Sequence, residues 1–204
     1  NAQLIALSRS AAPGCLIAGD IATLAAFCDS WDTDNFDLLV ENYRRQIRGL
    51  IDGGADLLVG ETLLYPQEAE AILTAAELEG AGATMITYSM QSGGFLYSGH
   101  DAGPLMGQLE NWGAAAVGFN CVAADGMVPH LVSKLRRFTK LPLICKPNAG
   151  NPIINEKGQA EYKLEPEPFA RIVKACYENG ASLLGGCCGT TPAHMAALKK
   201  SLDR

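Results

Sequence analysis

One phrase recurs along this chain of 204 residues. It reads GGADLLVGET at 53–62, GAGATMITYSM at 80–90, WGAAAVGFNC at 112–121 and NGASLLGGCC at 179–188. Each copy sets a Gly-Ala pair before a short apolar run, and each run ends in polar or reactive residue types. Glycine after a helical stretch takes the left-handed conformation without Cβ strain and is a common helix C-cap. A short apolar run behind it reads as a strand buried on both faces. CLIAGDI (15–21) and LPLICKP (141–147) supply two further strands.

Between the strands, amphipathic stretches predict helices at 35–52, 66–80, 101–112, 126–138, 166–179 and 192–202. Pro66, Pro166 and Pro192 stand near helix starts, where a missing N–H costs little. Thr191 is placed to cap the last helix. The opening NAQLIALSRSAA reads as the end of a helix that began earlier, so a preceding segment is expected. Six β-α alternations with right-handed crossovers give an α/β fold with a parallel sheet, as an open doubly wound sheet or a (β/α)8 barrel. No G-x-G-x-x-G follows the first strand, which argues against a dinucleotide fold.

Both architectures collect their chemistry at the C-terminal ends of the strands. Those ends are GET, YSM, NC, KPNAG and GGCCG. The polar stretch NAGNPIINEKGQAEYKLEPEPF (148–169) reads as a long loop over that rim. No linker interrupts the chain, so residues 1–204 read as a single domain.

Composition narrows the classes of partner. Apolar residues make up 48% of the chain, enough for a real core, and the net charge is −6 with no long run of one sign. Phosphate binding needs a basic surface, so nucleic acid is not an expected partner. No apolar run approaches the roughly 18 residues of a membrane span, and no signal peptide is visible. The seven cysteines are odd in number and irregularly spaced in a chain too long for a disulfide scaffold. A reducing cytoplasm with free or metal-bound thiols is expected.

Cys15, Cys28, Cys145 and Cys176 read as buried packing residues. Cys121 ends one predicted strand and the Cys187–Cys188 pair ends another, so three sulfurs can converge on one rim. Three thiolates favour zinc, and a catalytic zinc keeps its fourth position open. Adjacent strand residues point to opposite faces. The pair can share an ion only if the backbone leaves the extended path, as Gly185, Gly186 and Gly189 permit. Spacing alone leaves a zinc site, a vicinal disulfide and plain packing open. His194 is expected in the first turn of a helix, away from any metal, with His100 in a solvated loop and His130 on a helix surface. Tyr88 and Tyr97 are candidates to line a pocket.

GFNC followed by GGCCGTTPAHM, together with GADLLVGET and KPNAGNP, resembles the homocysteine S-methyltransferase family, in order along essentially the whole chain. The resemblance implies a (β/α)8 barrel with a catalytic zinc held by Cys121, Cys187 and Cys188. It implies methyl transfer to the thiol of homocysteine, giving methionine. Glu61 would bind the substrate's amino group; left to the residue itself, it reads equally as a carboxylate capping the next helix. Thr62 would be a supporting or helix-start hydroxyl, and Asn120 a hydrogen-bonding support beside a ligand. Asn148 would reach the metal when substrate is absent. KPNAGNP and GGCCGTTPAHM look closer to the methionine synthase branch, which implies a methylcorrinoid donor, with methylcobalamin supplied by another domain or protein.

The six units match family strands 3 to 8. The family's opening DGxxGT-like motif has no counterpart, and the third strand's usual ending is altered to Gly19-Asp20-Ile21. That pattern keeps two other readings in view: a non-catalytic fragment that binds zinc and homocysteine, and a purely structural zinc. It also leaves open strand edges suited to homo-oligomerisation.

Overall fold

In the computed structural model, which describes residues 1–24 and 33–203, helix and strand alternate along the chain. The elements are α1 (Ala2–Ala11), β1 (Ala18–Ile21), α2 (Thr33–Asp52), β2 (Leu57–Leu63), α3 (Pro66–Leu78), β3 (Thr84–Ser89), α4 (Ala102–Asn111) and β4 (Ala116–Ala123). There follow α5 (Val128–Arg136), β5 (Leu143–Asn148), β6 (Ile153–Ile154), β7 (Ala160–Glu161), α6 (Pro166–Glu178), β8 (Leu183–Leu184) and α7 (Pro192–Leu202). The expectation that Cys28 is a packing residue lies outside the described residues.

The Gly-Ala pairs fall where helix gives way to strand. Gly180, at φ 107°, closes α6 in the left-handed region. Its N–H and that of Ala181 return to the carbonyls of Tyr177 and Cys176, at 3.0 Å each, which satisfies acceptors the helix end leaves over. Pro66, Pro166 and Pro192 each open their helix, and Thr191 is the N-cap of α7.

The sheet runs β1-β2-β3-β4-β5-β8, and the β1–β2, β2–β3 and β5–β8 pairings are parallel. A doubly wound sheet reverses its strand order at a switch point. This order never reverses, so the fold is of the barrel type, with six βα units among the described residues.

Three expectations need correction. The first strand begins at Ala18 instead of Cys15, and Cys15 is exposed instead of packed. Cys15 sits in the turn that ends α1, where its N–H returns to the Ala12 carbonyl at 3.2 Å and Gly14 takes φ 82°. The stretch 148–169 is more than a loop, because β6 and β7 pair antiparallel within it. Asn155 makes that hairpin. Its side-chain oxygen accepts the N–H groups of Lys157 (2.9 Å) and Gln159 (3.0 Å), a side-chain substitute for a backbone turn.

The chain divides into two compact units, Asn1–Tyr88 with Gln108–Val117, and Ser89–Gly107 with Gly118–Arg204. The first is built on fully buried Tyr43 and Ile47 of α2, Leu58 and Leu63 of β2, Ile72 of α3 and Ile86 of β3. It also buries Glu68 completely. A buried carboxylate is tolerated only when donors surround it. Here Oε1 accepts from the Thr23 hydroxyl and the Leu24 N–H, both at 2.6 Å, and Oε2 accepts from the N–H of Leu64 at 3.1 Å. In the second unit Phe169, Ala170 and Val173 of α6 pack with Leu198 of α7 and Ala124. Among the described residues no helix is long and apolar enough to cross a membrane.

Candidate metal centre

Cys121 lies in β4, which continues to Ala123, two residues past the expected end. Its φ is +56°, in the left-handed region that a non-glycine residue enters only at a cost. The other two cysteines follow β8. Past Leu184 the chain keeps step with the end of β5 through Gly185 N–H to Cys145 O (3.1 Å), Cys187 N–H to Pro147 O (2.9 Å) and Ala149 N–H to Cys188 O (2.9 Å). Gly189 then turns away at φ 76°. Neither Cys187 nor Cys188 is in regular strand geometry, as convergence of neighbouring side chains requires.

The three sulfurs lie within 4.8 Å of one another. Cys121 Sγ is 2.7 Å from Cys187 Sγ and 3.8 Å from Cys188 Sγ, and all three cysteines are free thiols. Sulfurs bound to one tetrahedral zinc at about 2.3 Å stand about 3.8 Å apart. The Cys121–Cys188 separation matches that edge, and the Cys121–Cys187 edge opens by about 1 Å to match it. The donor set, three soft thiols, suits zinc as it does Cu(I) and iron–sulfur clusters.

Two asparagines support the sulfurs. Asn120, fully buried, donates its amide N–H to Cys187 Sγ at 3.6 Å. Asn148, at the end of β5, accepts the Cys188 backbone N–H on Oδ1 at 3.0 Å. Titration of the cysteines is shared. Cys187 is drawn down to about 5, first by the Cys121 thiol, against burial, then by the Asn120 amide and the Cys188 backbone. Cys121 is pushed up, first by its hydrogen bond to Cys187 and then by burial. The neighbours of Cys187 thus favour its thiolate, the ligating form.

A cleft of about 240 Å³ opens on Cys121, with Asn148, Asp125, Tyr97 and Gln91 in its walls. The wall carrying Gln91 and Tyr97 is a tight loop pinned to α5 by Lys134. The Lys134 ammonium meets Asp101 Oδ1 at 2.9 Å and the Gly93 carbonyl at 3.3 Å, and lies 4.7 Å from the Phe95 ring centroid.

The structure thus brings Cys121, Cys187, Cys188, Asn120 and Asn148 together in the second unit. Glu61 and Thr62 belong to the first. Thr62 lies inside β2 at φ 61°, not at a helix start. The carboxylate at the head of α3 is Glu68, which accepts the N–H of Tyr65 at 3.3 Å. Tyr97 lines the cleft, whereas Tyr88 is fully buried, its hydroxyl without a hydrogen-bond partner among the described residues. His100 and His130 are exposed. His194 is buried and structural: Nδ1 accepts the Thr191 N–H at 3.2 Å, and Nε2 is 2.8 Å from the Leu164 carbonyl. Tyr162, which the sequence reading missed, packs against Gly189, the residue after the cysteine pair, and is the one aromatic ring in its polar strap before α6.

The model of the homocysteine S-methyltransferase family matches residues 1–202. The chain belongs to that family. A homocysteine S-methyltransferase of Bacillus subtilis, YbgG, is 31% identical over 170 residues, which are 81% of this chain and 54% of YbgG. The methionine synthase of Mycobacterium leprae is 30% identical over 168 residues, 79% of this chain and 14% of that protein. The chain therefore spans about half the length of the first relative and a seventh of the second. Among solved structures, the apo form of the homocysteine methyltransferase MmuM from Escherichia coli superposes with a TM-score of 0.72 at 25% identity. The match covers 98% of this chain and 67% of MmuM. MmuM has also been solved in a metallated and an oxidized form. The homocysteine S-methyltransferase motifs GFNC and GGCC are the two that carry the converging sulfurs.

Proposed function

We propose that this chain transfers a methyl group to the thiol of homocysteine at a zinc held by Cys121, Cys187 and Cys188. The observation that carries the reading is the meeting of three thiols from two distant stretches of sequence within 4.8 Å. The metallated form of MmuM supports it. Bound zinc supplies one thing: it deprotonates a coordinating thiol at neutral pH.

The chain's own residues do the rest. Asn120 orients the Cys187 sulfur, and Asn148 holds the Cys188 backbone while facing the cleft. Glu61, with Thr62 beside it, takes the ammonium group of homocysteine. The homocysteine sulfur then attacks the methyl carbon in line. A sulfur–carbon bond forms, the bond between methyl and donor breaks with its electron pair left on the donor, and the thiol proton goes to solvent. The donor is a methylcorrinoid carried by another module or protein, in keeping with the likeness to methionine synthase. A reducing cytoplasm keeps the three thiols free.

The deciding experiment measures zinc by elemental analysis and methionine formation from homocysteine, with methylcobalamin and S-methylmethionine as alternative donors. The wild-type chain is expected to carry one zinc. Cys121→Ser, Cys187→Ser and Cys188→Ser are each expected to lose zinc and turnover together. Stoichiometric zinc with full turnover in any of the three overturns the assignment.

A further inference from the structure

A loop that lines a binding cleft serves best when its shape is set before the ligand arrives, because ordering it on binding costs affinity. The loop from Met90 to Asp101 supplies one wall of the cleft on Cys121, through Met90, Gln91, Ser92 and Tyr97. It is two tight turns in tandem. The Gly94 N–H returns to the Gln91 carbonyl and the Gly99 N–H to the Leu96 carbonyl, each at 2.9 Å. Leu96, where the turns meet, is fully buried, while the ring of its neighbour Tyr97 is exposed in the cleft wall.

Lys134 of α5 ties the loop down. Its ammonium reaches Asp101 Oδ1 at 2.9 Å and the Gly93 carbonyl at 3.3 Å, and it lies 4.7 Å from the centre of the Phe95 ring. Asp101 Oδ1 also accepts the Gly103 N–H at 2.9 Å, which joins the loop's exit to the start of α4. Gly94 has φ 82°, and a Cβ there would lie 3.0 Å from Leu131 Cδ1 and 3.1 Å from the Lys134 ammonium. The loop backbone is therefore seated directly on α5. An exposed ion pair alone contributes little. This ammonium instead holds one short loop at three points, at residues 93, 95 and 101.

We infer that Lys134 is a positioning residue for homocysteine: it fixes the Met90–Asp101 loop so that Gln91 and Tyr97 form a ready-made wall against which the substrate packs. This rests on the proposed function. Lys134 stands outside the cleft walls, so its effect passes through that loop and spares the metal ligands.

The test titrates homocysteine into the Co(II)-substituted protein, where a further sulfur on the metal alters the sulfur-to-metal charge-transfer bands. Zinc affinity is measured in parallel by chelator competition. Lys134→Met keeps the aliphatic stem and removes the charge. Asp101→Asn keeps an acceptor for Gly103 and removes the carboxylate. Each is expected to weaken homocysteine binding about 10-fold, to leave zinc affinity unchanged and to speed hydrogen exchange in peptides covering 90–102. In a background carrying Gln91→Ala and Tyr97→Ala, Lys134→Met should weaken binding no further, because the side chains through which it acts are gone. Three results overturn the inference and leave the zinc reading standing: wild-type homocysteine affinity in Lys134→Met, a loss of the same size in both backgrounds, or an equal loss of zinc affinity. A wild type that binds no zinc, or binds it and takes no homocysteine, overturns the proposed function and this inference with it. The two failures are thus told apart by which protein fails.

Discussion

Cys121 combines a reactive side chain with a backbone conformation that cysteine disfavours. A non-glycine residue held in the left-handed region costs on the order of 1 kcal/mol, and such outliers gather at functional sites. Thr62, at φ 61° in β2, is a second case, and for a β-branched residue a more severe one. The strain at Cys121 predicts an unusual ranking of variants. With metal removed, Cys121→Gly should be more stable than Cys121→Ala by about 1 kcal/mol, because only glycine adopts this φ freely. Urea unfolding of both metal-free proteins measures the difference; an alanine variant of equal or greater stability would show the backbone relaxing instead. Cys176 makes the contrasting case. It is buried, its thiol beside that of Cys145, which that contact and burial push up in pKa. Cys176→Ser should leave zinc stoichiometry unchanged and cost about 1–3 kcal/mol by placing a hydroxyl where a soft thiol packed. The sequence identified the cysteines that converge, because their motifs end strands on a common rim. It could not reveal the left-handed turn at Cys121, a position held by neither glycine nor asparagine, nor the packing of Tyr162 on Gly189, which depends on a strap folding back.

The elements were legible where local chemistry and hydrophobic period agreed. Prolines open α3, α6 and α7, and Gly-Ala pairs end the helices before β2, β4 and β8. The β6–β7 hairpin was hidden because only two residues pair on each side and the turn is made by one asparagine side chain. Ties between helices were also invisible in sequence. Glu79, just past α3, receives Arg44 Nε at 2.8 Å and Arg48 at 2.8 and 2.9 Å, both arginines coming from α2. The Arg48 hydrogen bond first, then those from Arg44, hold the Glu79 carboxyl below its ordinary 4.5, against desolvation. A carboxyl with a depressed folded-state pKa adds stability that is complete above its unfolded value and disappears as pH falls through the folded one. Wild type should therefore lose its advantage over Glu79→Gln on acidification below 4.5, and the two should converge once Glu79 is protonated in the folded state. Urea midpoints of both proteins from neutral to acid pH check this. Because the arginines are partly exposed, the advantage at neutral pH should also shrink in high salt.

Over the whole molecule, metal binding and stability are linked. A ligand that binds only the native state adds about 2.7 kcal/mol when its free concentration is 100 times its dissociation constant. In this chain all three sulfurs, with Asn120, Asn148 and Tyr162, belong to the unit made of Ser89–Gly107 and Gly118–Arg204. Stability within one protein is not uniform, and segments open with their own free energies. The gain from zinc should therefore fall first on amides that open when the site opens. These are the N–H groups of Cys187 and Cys188, bonded to Pro147 O and to Asn148 Oδ1, and those of Ala149 and Gly185. Hydrogen exchange followed by mass spectrometry, with saturating zinc and again with chelator, reads this directly. Peptides covering β4, β5 and 183–190 should slow markedly with zinc, while peptides of α2 and α3, in the unit that contains Glu61, should change little. Cys187→Ser should abolish the difference throughout. An equal slowing in α2 and α3 would show that the metal stabilises the entire chain against one common opening. No slowing anywhere would remove the cysteines from the role of ligands, since no native-state ligand can bind without adding protection to the contacts that hold it.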